Sequence, residues 1–79
     1  MPELARFGAF KICVFPGDHL PAHFHVLGRG WSVMIEIVSL RVLKGAGPRG
    51  SVEEAIAWAR VPDNSYRLCH EWRRLNERE

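Results

Sequence analysis

Three of the chain's four histidines fall in one ten-residue run, Pro16-Gly17-Asp18-His19-Leu20-Pro21-Ala22-His23-Phe24-His25, together with an aspartate and two prolines. An imidazole titrates near neutral pH, so each ring is a candidate base, acid or metal ligand. Side chains alternate along a strand, so a strand from His23 puts His23 and His25 on one face, about 7 Å apart at ~3.3 Å per residue. Two chemistries suit that pair. In the first, one imidazole takes the 2′-hydroxyl proton of a phosphodiester and the other protonates the leaving oxygen, with no metal. Asp18 and His19 fold back from the preceding loop in support, and Lys44, Arg41 or Arg49 steadies the charge that builds on phosphorus. In the second, Asp18 joins His23 and His25 as a two-histidine, one-carboxylate set for a divalent transition metal. Two readings without chemistry stand beside these: histidines that only hydrogen-bond their own loop, and a stretch of protein interface.

The surrounding residues dictate how that run is held. Pro16-Gly17 and Leu20-Pro21 disfavour helix, because proline fixes its own φ and pushes the preceding residue out of the helical region. The chain should therefore reach His23 extended. Before it, Phe10, Ile12 and Val14 alternate with Lys11 and Cys13, which predicts a first strand over 6–15 after a short lead-in. Gly28-Arg29-Gly30 predicts a hairpin joining strands over 23–28 and 31–37. Trp31, Val33, Ile35 and Ile37 take one face of the latter, and Ser32, Met34 and Glu36 the other. A reversal at Val38-Ser39 leads to a strand over 40–44.

Gly45-Ala46-Gly47-Pro48-Arg49-Gly50 ends the sheet half, with three glycines and a proline in six residues. It lacks the lysine-serine step of a phosphate-binding loop. Ser51 with Glu54 predicts a capping box and a helix over 52–60, with Val52, Ala55, Ile56 and Ala59 on one face. Val61-Pro62 stops it. Asp63-Asn64-Ser65 offers a second N-cap for a helix over 64–77, striped by Leu68, Trp72 and Leu75, that ends in a charged, solvated tail. The fold expected is a small α+β domain, an antiparallel meander of three to four strands with two C-terminal helices on one face. Its other sheet face must then be polar or covered by a partner, either a different protein or a second copy of this chain.

Composition narrows the function classes. At 79 residues the chain makes one domain, and one that buries only about 60% of its unfolded surface. A net charge of +2 is too weak to argue for nucleic acid by itself. No helix carries the compact row of Arg and Lys that DNA reading requires, since Arg73-Arg74 is too short. Cys13 and Cys69 form no CxxC pair and read as free core thiols rather than a disulfide. Neither a leader peptide nor a run of roughly 18 apolar residues is visible, so the expected location is the cytoplasm, with no membrane partner.

The segment Asp18-His19-x-Pro21-x-His23-Phe24-His25, entered through Val14-Phe15, resembles the short bacterial proteins of the domain of unknown function 4160 family. The resemblance extends to the glycine-then-proline exit from the sheet at Gly45 to Pro48 and to two Trp-bearing helices, here with Trp58 and Trp72. It spans nearly the whole chain. The family usually has Pro-Pro-His-Phe-His, and Ala22 replaces the second proline here without removing a functional group. The resemblance implies a genetic setting rather than an activity: a neighbouring small protein of the domain of unknown function 2442 type, in a pair like a type II toxin-antitoxin module. On that basis the chain is expected to bind such a partner, and as the toxin to act on RNA through His23 and His25. The alternative is a non-catalytic interaction or metal-binding module, as the neutralising member of the pair.

Overall fold

The computed structural model describes residues 3–76. Five strands come first, β1 (Glu3–Arg6), β2 (Phe10–Cys13), β3 (His23–Gly28), β4 (Trp31–Glu36) and β5 (Val42–Ala46), then two helices, α1 (Arg49–Arg60) and α2 (Pro62–Asn76). The strands form one antiparallel sheet in the order of the chain, which leaves β1 and β5 as its edges. This is the expected α+β meander with two C-terminal helices, but it has five strands instead of three to four.

The extra strand comes from splitting the one predicted over 6–15. The chain reverses at residues 7–9, where the Phe7 N–H donates to the Phe10 carbonyl at 2.7 Å and the Phe7 and Phe10 rings stack. Leu4 and Ala5, read from sequence as a lead-in, thereby enter the sheet, and Ala5 pairs with Ile12. The fourth strand expected over 40–44 begins instead at Val42, because Leu40 takes a left-handed φ of 60° in the turn that returns the chain from β4.

Alternation sets the two faces of the sheet. Phe10, Ile12, Phe24, Val26, Val33 and Ile35 point toward the helices and are buried, where they meet Ala55 and Ala59 of α1 and Leu68 and Trp72 of α2. Ala55 and Ala59, four apart, fall on one face of α1 and are its buried residues. The opposite face carries a cross-strand row, Cys13–His25–Met34–Lys44.

Both helices start earlier than the sequence indicates. The first intrahelical bond of α1 runs from the Val52 N–H to the Pro48 carbonyl, so Pro48 is the N-cap residue and Ser51 lies inside the first turn. The expected capping box is not the start signal. Pro62 opens α2, where its missing N–H costs nothing. Asn64, expected as a cap for α2, uses its side-chain amide to donate to the Trp58 carbonyl at the end of α1. The predicted helix end at 77, the tail beyond it and residues 1 and 2 of the lead-in lie outside the described residues. No described helix is long and apolar enough to cross a membrane.

Candidate metal centre

His23 and His25 share the sheet face away from the helices, as a strand requires, and their ring centroids are 5.1 Å apart. They differ in exposure. His23 is 3% exposed and His25 is half-buried, with Phe15 edge-on to its ring at 4.7 Å. Asp18 returns over them from the loop between β2 and β3. Its Oδ2 lies 3.0 Å from His25 Nε2 and 3.3 Å from His23 Nε2.

Two sets of contacts hold the loop there. The Pro21 carbonyl lies 2.8 Å from His23 Nδ1. The end of α2 supplies the second. Asn76 Oδ1 accepts from the Asp18 N–H at 2.8 Å, while its Nδ2 donates to the Phe15 and Trp72 carbonyls. From sequence alone Asn76 belonged to a solvated stretch. Only an asparagine in the last turn of a helix hinted otherwise, since its side chain can both donate and accept.

The tautomer of His23 follows from these contacts. A carbonyl only accepts, so Nδ1 carries the proton, and in the neutral ring Nε2 presents a lone pair. That Nε2 is buried and has no hydrogen-bond partner among the described residues. Its 3.3 Å contact with Asp18 therefore lacks hydrogen-bond geometry, and protonating Nε2 would send the N–H past the carboxylate. The buried lone pair is thus aimed beside the Asp18 carboxylate, so a cation lying on that lone pair could also meet Oδ2.

The ligand atoms of Asp18, His23 and His25 lie within 4.8 Å of one another. Bonds of ~2.0–2.2 Å to one ion separate neighbouring ligand atoms by ~2.9–3.4 Å, depending on geometry. Both contacts of Asp18 Oδ2, at 3.0 and 3.3 Å, fall in that range. The Nδ1–H bond of His23 to a backbone carbonyl is also the outer contact that metal-ligating histidines ordinarily make.

The other candidate residues divide. His19 and Lys44 line a cleft of about 330 Å³ together with Asp18, His23 and Met34. Lys44 also lines a neighbouring cleft of about 280 Å³, over His25 and Ser32. Arg49 is not brought to this place: it pairs with Glu53 at 3.0 Å and lines a different cleft, between β5 and α1. Arg41 sits in the turn before β5, where its N–H donates to Ser39 Oγ. His70 is exposed on α2 and stacks on Tyr66. Both thiols are free, and burial raises the pKa of Cys13 above its ordinary value.

Fold and site together define a small α+β domain with a two-histidine, one-carboxylate cluster on the free face of its sheet. The model of one family, "Domain of unknown function (DUF4160)", matches residues 9–73, and the chain belongs to that family. No curated protein and no solved structure matches it.

Proposed function

We propose that this chain is a metal-binding module in which Asp18, His23 and His25 hold one divalent transition metal. The observation that carries this reading is the buried, unpartnered Nε2 of His23, facing an aspartate that also meets His25. Two nitrogens and one oxygen suit zinc or iron(II), and three protein ligands leave coordination positions open. The acid–base scheme with two imidazoles is weaker, because His23 Nδ1 is engaged by Pro21 and Nε2 is closed off from solvent. Elemental analysis of protein purified without a histidine tag tests the proposal. About one equivalent of zinc, iron or nickel, lost in His25→Ala and Asp18→Ala, is expected; metal-free protein that also fails to bind added metal refutes it.

The partner is proposed on separate grounds. The family resemblance implies a small protein encoded nearby, and Leu20, Val38 and Val42 are apolar and exposed at 78%, 84% and 43%. Induction of the chain alone and with its genetic neighbour, followed by growth curves and co-purification, tests the pairing. Growth arrest relieved by the neighbour, with the two proteins eluting together, is the result expected of a toxin. Indifferent growth and separate elution would remove the pairing and leave the metal site standing.

A further inference from the structure

The open side of the metal cluster has a built environment. Lys44 stands in the cross-strand row with Met34 and His25, and its side chain lines both clefts that flank the cluster. No carboxylate pairs with Lys44 among the described residues, although salt bridges elsewhere occupy Arg6, Arg49 and Arg74. Glu36, the acid on this face beside His23 in register, accepts a hydrogen bond from Ser39 Oγ. An exposed ammonium at the rim of a cation site is unfavourable by like-charge repulsion unless an anion lies between the two.

We propose that the open coordination positions of the ion held by Asp18, His23 and His25, together with the Lys44 ammonium, form a subsite for a doubly charged, phosphate-type oxyanion. This rests on the metal reading above. The charges select the ligand class. A divalent ion, the Asp18 carboxylate and the Lys44 ammonium sum to +2 with neutral histidines, which a dianion cancels and a monocarboxylate does not. Lys44 lines one cleft with Asp18 and His23 and another with His25, so one oxygen of a tetrahedral anion would take a metal position while another accepts from its ammonium. The cleft of about 330 Å³ has room for such a group.

Cobalt(II) serves as the probe, because its visible bands report coordination. Untagged protein is titrated first with cobalt in a buffer free of phosphate, then the loaded protein with inorganic phosphate, and in a separate arm with acetate. Phosphate is expected to shift the cobalt bands, bind at least tenfold tighter than acetate, and bind at least tenfold more weakly to Lys44→Ala. Lys44→Arg should recover most of that loss, and cobalt affinity in Lys44→Ala should be no lower than in the parent. Equal phosphate affinity in Lys44→Ala, or acetate binding as tightly as phosphate, overturns the subsite while leaving the metal site intact. Failure of the first titration, with no cobalt bound, overturns both.

Discussion

At the scale of single residues the account turns on Asp18, because one oxygen faces two ring nitrogens and only one of them is hydrogen-bonded to it. In metal-free protein that arrangement is a cost carried by the fold. Asp18→Asn removes the charge beside the unpartnered His23 ring nitrogen, and its amide oxygen can still accept from His25 Nε2. Melting in excess chelator should therefore give a Tm equal to or above the parent's. Added zinc at about 100 times Kd stabilises a one-site protein by about 2.7 kcal/mol, or roughly 10–20 °C in a domain of this size; the Asp18→Asn variant should lose nearly all of that rise. A second prediction concerns Cys13, whose raised pKa comes from burial. A group held protonated by the fold keeps its contribution to stability below the unfolded thiol value, about 8.5, and loses it as pH rises further. Denaturant midpoints should fall between pH 8 and 10 in the parent and fall less in Cys13→Ala, compared with each protein's own value at pH 7. At this scale the sequence was legible where spacing alone decides orientation: His-x-His on a strand fixed a shared face. The burial of His23 was not, because it depends on a loop folding back and on the Pro21 carbonyl.

At the scale of elements, α2 positions the loop that carries Asp18 from the far end of the chain. Asn76→Ala removes the acceptor for the Asp18 N–H and the donor to the Phe15 carbonyl. The loss should be about 1–3 kcal/mol by denaturant unfolding, the cost of leaving partly buried groups unpaired. Zinc affinity should fall too, whereas in Arg74→Ala, on the same turn but exposed and paired with Glu71, it should hold. Trp31 locks the sheet to the exit loop. A Cβ at Gly28 would sit 2.1 Å from its indole and one at Gly47 2.3 Å away. Gly47→Ala should destabilise by roughly 1–3 kcal/mol through overpacking, with metal affinity retained in the folded protein. These glycines read from sequence as turn signals, yet both make room for an indole across the sheet. The alternation of β4, the Gly30 reversal and the Leu68–Trp72 stripe were legible because their period is local. The β1–β2 hairpin was not, since Phe7-Gly8-Ala9 resembles a continuing strand until Phe7 stacks on Phe10. The start of α1 misled for the opposite reason: a sound capping pattern lay one turn inside a helix that Pro48 had already begun.

At the scale of the whole molecule, the helices cover one sheet face and leave the other to a loop, two clefts and the mixed row from Cys13 to Lys44. A chain of 79 residues has little stability to spare for a buried, unsatisfied group. The proposed ion would turn that liability into a cross-link between the β2–β3 loop and the centre of the sheet. The expected toxin-antitoxin setting concerns the exposed apolar residues and the strand edges, and is separable from the cluster. X-ray absorption at the zinc edge of stoichiometrically loaded, untagged protein tests the central claim most directly. The account predicts a first shell of nitrogen and oxygen at ~2.0–2.1 Å with outer-shell scattering from two imidazoles, reduced to one in His25→Ala. A sulfur shell, or a spectrum showing two imidazoles in both proteins, would contradict it.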